Sequence, residues 1–229
     1  MRYPGGKGKS FPHLINLMPP HARYIETHLG GGAVLREKRP ASINIGIEID
    51  PGVVARWKDR PLPGVSIVQG DAVEVLMSLN LSAQDLVYMD PPYVSDTRRR
   101  PKMYRYEYSD ADHGRLLSLA RSLPCMVLIS GYRCALYDRV LNDWQRHDFL
   151  SSTQSGQREE SVWFNFDKPA KLHDARFLGG TFRERQDVRR RASRLRQRVS
   201  SLPVAEQCML LEWLSQELAP LEQFRELRA

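Results

Sequence analysis

The sequence predicts an α/β fold: a Rossmann-like, doubly wound, mostly parallel seven-stranded sheet with a C-terminal antiparallel hairpin, plus a C-terminal helical appendage. Three observations predict it. Short β-rich runs alternate with helix-length segments from residue 24 to residue 89. Each run ends in a polar or glycine-rich tip, and the C-terminal ends of strands are where open α/β sheets bind ligands. The last two runs, near 146–153 and 160–166, flank a Ser/Gln/Gly-rich loop and read as a hairpin.

Length and composition set the outer bounds. At 229 residues the chain accommodates one α/β domain with a modest appendage. The 34 Lys and Arg against 27 Asp and Glu leave a net charge of +7, a mild pointer to a polyanionic partner. Cys125, Cys134 and Cys208 lack metal-ligand spacing, and their odd number argues against a disulfide framework. No apolar run reaches the roughly 20 residues that span a membrane, and the N-terminus lacks a signal-peptide core. A cytoplasmic protein without membrane partners is expected.

Taken in order, the chain starts with Arg2-Tyr3-Pro4-Gly5-Gly6-Lys7, a loop whose glycines let backbone approach a ligand. Tyr3 can stack on a flat ring and Lys7 can meet a carboxylate or phosphate; a frayed terminus accounts for the same residues. A strand over 24–29 leads into Gly30, Gly31 and Gly32, a tight turn where a nucleotide-like ligand can rest on backbone amides, with Glu26 at its mouth. The spacing is not that of the dinucleotide fingerprint. The next strand, 44–50, ends in Glu48 and Asp50. Either carboxylate can accept bonds from the two hydroxyls of a ribose, and Asp50-Pro51 equally suits a helix cap. A third strand, 65–72, ends in Gly70-Asp71. Asp71 can take a bond from an adenine amine or cap the helix over 72–79.

The fourth strand, 85–89, runs into Asp90-Pro91-Pro92-Tyr93. Two prolines forbid further ladder pairing and stiffen the exit. A carboxylate, a rigid carbonyl and a ring are thereby held at a strand tip. This suits recognition of an exocyclic amine on a flat base: Asp90 and the Pro91 carbonyl accept its hydrogen bonds and Tyr93 offers a stacking face. The loop 94–108 then interleaves Arg98, Arg99, Arg100, Lys102 and Arg105 with Tyr104, Tyr106 and Tyr108, a mixture that binds phosphates and bases. An amphipathic helix over 110–123 and a fifth strand and turn over 125–132 precede the hairpin.

From about residue 171 the character changes. Residues 183–198 hold eight arginines, while Val188, Ala192, Leu195, Val199 and Leu202 form an apolar stripe. Pro203 interrupts, a second helix carries Met209, Leu210, Trp213, Leu214 and Leu218, and Pro220 is expected to end it. An αα-hairpin is expected, docked on the core or paired between subunits, with its arginine face free to follow a phosphate backbone.

The ordered set Arg2 to Lys7, Glu26-Thr27-His28-Leu29-Gly30-Gly31-Gly32-Ala33-Val34, Glu48-Ile49-Asp50, Gly70-Asp71-Ala72 and Asp90-Pro91-Pro92-Tyr93 resembles the DNA N6-adenine methyltransferases of the DNA adenine methylase (D12 class) family. The likeness continues through Ser130-Gly131-Tyr132 and Glu160-Ser161-Val162-Trp163-Phe164-Asn165 and covers residues 1 to about 167. It implies an S-adenosyl-L-methionine-dependent methyltransferase domain over 1–170 and a basic helical extension over 171–229 that contacts DNA or mediates oligomerisation. Tyr3, Lys7, Glu26, Gly30, Gly31, Gly32, Glu48, Asp50, Asp71 and Asp90 would then hold the cofactor, Lys7 near its methionine carboxylate. Asp90, Pro91, Pro92 and Tyr93 would grip a flipped-out adenine in double-stranded DNA. Arg98, Arg99, Arg100, Lys102, Tyr104 and Arg105 would contact the nucleic acid. No metal is required. The alternatives are a cytosine N4 or RNA adenine methyltransferase, or a non-catalytic nucleic-acid-binding relative. The implied setting is the cytoplasm of a bacterium, or of a host when phage-encoded.

Two departures stand out. The family often reads Glu-Pro-Phe where this chain has Glu26-Thr27-His28, so that loop is expected to differ, with His28 a local hydrogen-bonding variant rather than a base. Many members also insert a target-recognition domain between the third and fourth strands, where this chain has room only for a helix and a strand. Sequence readout is therefore expected from 94–108 and the C-terminal helices, and a homodimer would add contacts.

Overall fold

The computed structural model describes residues 6–94, 105–153 and 156–226. The sheet has seven strands in the order β3-β2-β1-β4-β5-β7-β6. Here β1 is Arg23–Thr27, β2 Ile43–Glu48, β3 Val65–Gln69, β4 Asp85–Met89, β5 Met126–Gly131, β6 Gln145–Thr153 and β7 Gly156–Phe164. The first five pair in parallel, and β7 runs antiparallel to both β5 and β6. Strand order thus reverses between β1 and β4, the switch point at which doubly wound sheets open a crevice for ligands. Thr27 pairs with Met89 in that register, so the glycine turn after β1 and Asp90 after β4 leave the same edge side by side.

The central strand β4 is buried along its whole length, as the continuous run Leu86-Val87-Tyr88-Met89 requires of a strand covered on both faces. Its side chains alternate between two cores. Leu86 and Tyr88 join Tyr24, Leu128 and Phe164, and are covered by Leu14 from α1 (Phe11–Ile15), Val34 from α2 (Ala33–Glu37) and Trp57 from α3 (Pro51–Asp59). Val87 and Met89 join Ile25, Ile47 and Ile129, and are covered by Leu76 from α4 (Ala72–Ser78), Leu116 from α5 (Asp110–Ser122) and Tyr137 from α6 (Ala135–Val140).

The helix starts follow capping chemistry. Asp50 accepts from Gly52 N, and Asp71 accepts from Val73 N and Glu74 N. Ser109 and Asp112 form a reciprocal capping box on α5.

The first compact unit runs to Phe177, beyond the boundary at 170 read from composition. A strap explains the difference. His173 N donates to Met18 O, Arg39 N donates to the wholly buried Asp174, and Arg176 donates to Glu37 O. Burial pushes the Asp174 carboxyl up, but hydrogen bonds from Arg176 and from backbone amides outweigh it and hold the pKa at about 2.

The second unit spans Leu178–Ala229 and contains α7 (Phe182–Ser200) and α8 (Val204–Glu226). No residue of α7 is buried, and Leu195, Val204, Met209, Leu211 and Trp213 are each more than half exposed. Nor does Pro220 end the second helix, which continues to Glu226. A proline removes one i to i−4 bond, which a long helix can forgo. Among the described residues no helix is long and apolar enough to cross a membrane, and no cluster of His, Cys, Asp and Glu has metal-site geometry. Cys125 is buried, Cys134 partly so, and Cys208 is exposed.

Candidate active site

An open cleft lies along the C-terminal edge of the parallel strands. Ile47, Ile49, Ala72, Pro92 and the rings of Tyr106 and Tyr108 give it apolar walls. Glu48, Asp71 and Asp90 give it three carboxylates. A flat heterocycle with polar edges suits such a slot.

The glycine turn bordering the cleft is conformationally fixed. Gly30 and Gly32 have φ of 46° and 57°, and a Cβ on Gly32 would lie 2.4 Å from the Trp57 ring. Trp57 Nε1 donates to Gly30 O at 3.0 Å. Glu48, expected on ribose hydroxyls, uses one oxygen for Gly30 N at 2.8 Å and the other for Asp50 N at 2.9 Å. Each carboxylate oxygen has a second lone pair, so Glu48 keeps acceptor capacity toward the cleft. Asp71 both caps α4 and lines the cleft, uniting its two readings. Asp50 caps α3, pairs with Arg105 at 3.5 Å and does not line the cleft; of its two readings the structure realises the cap.

Glu26 is buried beneath the edge rather than lining the cleft. It accepts from the Tyr24 hydroxyl at 2.9 Å. Burial pushes its carboxyl up to about 8, against the pull of that hydrogen bond and with help from the Asp90 charge. His28 takes φ of 54°, unusual for a residue with a side chain. Its ring nitrogens meet Thr27 Oγ1 at 2.9 Å and the Tyr108 hydroxyl at 2.8 Å. Burial drops its pKa to about 3, so it is a neutral tie between the β1 turn and the cleft wall, in keeping with a hydrogen-bonding role rather than that of a base.

The lip of the cleft is an ionic network. Lys7 Nζ donates to Asp90 Oδ1 at 2.7 Å and to the Tyr93 hydroxyl at 2.5 Å, and lies 3.9 Å from Glu160. Tyr93 in turn donates to Glu160 at 3.3 Å. Burial alone would lower the Lys7 pKa, but Asp90, Tyr88 and Glu160 raise it, so the ammonium stays charged. Burial raises the Asp90 pKa, and Lys7 and Ser130 pull it back.

Lys7, expected near a cofactor carboxylate, pairs with Asp90, as a buried ammonium needs a buried partner. Tyr93, expected to present a stacking face, is 6% exposed and lies edge-on to Tyr132 at 4.4 Å. Its hydroxyl joins the network, and Lys7 Nζ also lies over its ring, 4.8 Å from the centroid. Pro91 is buried beside it, and Pro92 lines the cleft. Tyr3, Arg98, Arg99, Arg100, Lys102 and Tyr104 lie outside the described residues. Arg105 is exposed.

The residues that sequence reasoning left without roles are Ser130, Tyr88 and Glu160. Ser130 Oγ donates to Asp90 Oδ1 at 2.8 Å and lies 2.9 Å from the Tyr88 hydroxyl. Only their place near the ends of β4 and β5 and midway along β7, paired as Tyr88 with Leu128 and Gly131 with Ser161, hints at convergence.

Fold and site together define a class: a Rossmann-like α/β protein with an acidic, apolar-walled cleft at its switch point. No known protein-family profile and no curated protein sequence matches the chain. Solved structures with a similar course include a precorrin 8W decarboxylase from Methanobacterium thermoautotrophicum, at 11% identity over 72% of this chain and 94% of that one, with a TM-score of 0.47. The spermidine synthase from Thermotoga maritima is 15% identical over 72% of this chain and 59% of that one, at 0.48. A magnesium protoporphyrin IX methyltransferase from Synechocystis PCC 6803, solved with bound SAM, is 11% identical over 69% and 79%, also at 0.48. At such values the fold assignment rests on the chain's own strand order.

Proposed function

We propose that the chain is an S-adenosyl-L-methionine-dependent DNA methyltransferase that methylates the N6 amine of adenine in double-stranded DNA. The observation that carries this reading is the adjacency of the glycine turn and Asp90 on paired strands, fixed by the Thr27–Met89 register. A cofactor along the cleft and an amine at Asp90 would then be neighbours.

The residues fit that cofactor. The apolar slot suits its adenine, Asp71 its exocyclic amine, and the spare lone pairs of Glu48 its ribose hydroxyls. The glycine turn leaves room beside backbone for the methionine end. When bound, the cofactor supplies an electrophilic methyl on a sulfonium, so the protein's task is positioning and electrostatics.

A duplex hides the amine, so the adenine must leave the stack at a cost of roughly a few kcal/mol. Asp90 and the Pro91 carbonyl accept hydrogen bonds from the amine. Both bonds favour a more tetrahedral nitrogen, with its lone pair aimed at the methyl. Nitrogen to carbon bonding replaces the sulfur to carbon bond, and the surplus proton leaves the nitrogen afterwards. Duplex phosphates would be held by the basic residues of 94–108 and by α7, where Arg183, Arg190, Arg194 and Arg198 are exposed along one side of the helix. The exposed apolar residues of α7 and α8 are consistent with a homodimer.

The test is to incubate the purified protein with duplex DNA and methyl-labelled cofactor, then digest the DNA to nucleosides. Label in N6-methyl-2′-deoxyadenosine, lost in Asp90→Asn with cofactor binding retained, is the expected result. Label in N4-methyl-2′-deoxycytidine, or full activity in the variant, overturns the assignment.

A further inference from the structure

Asp90 is gripped through one oxygen. Lys7 Nζ and Ser130 Oγ both donate to Oδ1, at 2.7 Å and 2.8 Å. Among the described residues no hydrogen bond falls on Oδ2. A serine hydroxyl has one proton, and here it goes to Asp90. The Tyr88 hydroxyl, 2.9 Å from Ser130 Oγ, must therefore donate to that serine. The chain of donation runs Tyr88 to Ser130 to Asp90, and Tyr88 and Ser130 are fully buried.

The two donors to Oδ1 are not equivalent. Lys7 is a compact charge with rotatable donors, and it also serves the Tyr93 hydroxyl. It sets the charge of the carboxylate but not its plane. Ser130 is fixed on β5 next to β4, and its hydroxyl is held in turn by Tyr88. The terminal torsion of an aspartate is otherwise broad.

We infer that Ser130, oriented by Tyr88, is a positioning residue that turns the Asp90 carboxylate so that Oδ2 faces the reacting amine. Identifying that amine as adenine N6 rests on the function proposed above; the relay itself does not. It accounts for a polar pair buried between two central strands and gives Ser130 a task that a packing residue would not have.

The experiment compares Ser130→Ala, Tyr88→Phe and the double variant in single-turnover methyl transfer at saturating cofactor and DNA. Ser130→Ala should slow the transfer step by about tenfold to hundredfold, the range for a lost hydrogen bond to a charged group. Calorimetric cofactor affinity should stay within about twofold, since binding energy is not what Ser130 supplies. Because the lost donor favoured the ionised carboxylate, the acid limb of the rate profile should move to higher pH. Tyr88→Phe should act in the same direction but less, and should add nothing in the Ser130→Ala background.

A second readout needs no activity. The Asp90 carboxyl, identified by its loss in Asp90→Asn, is titrated by carbon-13 NMR, and its midpoint should rise in Ser130→Ala. An unmoved midpoint with an unmoved acid limb overturns the inference, as does a Tyr88→Phe effect that persists undiminished without Ser130. Should the wild type methylate no adenine while the NMR midpoint still moves, the positioning stands and the proposed function falls.

Discussion

Lys7 Nζ sits 2.7 Å from Asp90 Oδ1 across 83 positions of sequence, and both atoms belong to one buried network at the mouth of the cleft. The first described loop of the chain is thereby tied to the end of the central strand. The consequence is directly testable.

Lys7→Met would leave Asp90 and Glu160 facing each other without their cation. Removing one partner of a buried ion pair costs about 3–5 kcal/mol, and denaturant unfolding should show a loss of that order. Methyl transfer should fall because Asp90 then ionises less readily, while calorimetric cofactor affinity changes little. Abolished cofactor binding with an unaltered Asp90 titration would instead return Lys7 to the cofactor carboxylate.

Gly32→Ala should damage the cleft from the other side. The new methyl would meet the Trp57 ring at 2.4 Å in a backbone with φ of 57°. Strain in that region costs about 1–3 kcal/mol before any ring displacement. Melting temperature and cofactor affinity should both drop, and retention of both would mean that the turn accommodates a side chain.

Glu26 makes stability depend on pH. Its folded pKa of about 8 exceeds the ordinary 4.5, so folding takes up a proton between those values. The stabilisation is fully present below about pH 4.5 and is lost as pH rises through about 8. Glu26→Gln should remove this slope from a series of denaturation curves run from about pH 4 to about pH 9, which bracket both values. A slope identical to wild type would place the titration elsewhere.

Arg190, Arg194 and Arg198 recur every four residues on α7 and are exposed. Changing all three to Ala should flatten the salt dependence of duplex binding by about 0.9 for each arginine that meets a phosphate. Cofactor affinity should not change. An unaltered slope, together with a flattened one in Arg99→Ala/Arg100→Ala, would assign the phosphates to the 94–108 loop instead.

Much of the fold was legible because its signals are local. The run at 85–89 matched β4 at both ends, and Asp50 and Asp71 announced helix starts through capping chemistry. The alternation of strands and helices announced a doubly wound, mostly parallel sheet, while the order of its strands came only with the structure. The lip was only half legible. Asp90 stood out, but the partners of Lys7, the burial of Tyr93 and the roles of Ser130 and Glu160 depend on which strand tips meet. The strap at 173–177 was missed because its anchor is one buried carboxylate, Asp174, in a polar stretch. Pro220 misled because a breaker rule is statistical, and the helix runs past it.

The three thiols differ in a way that offers an experimental handle. Burial pushes Cys125 up to about 12, Cys134 is also raised, and Cys208 stands exposed on α8. A maleimide fluorophore added near neutral pH should therefore react first at Cys208, giving an optical reporter on the second unit with no engineered cysteine.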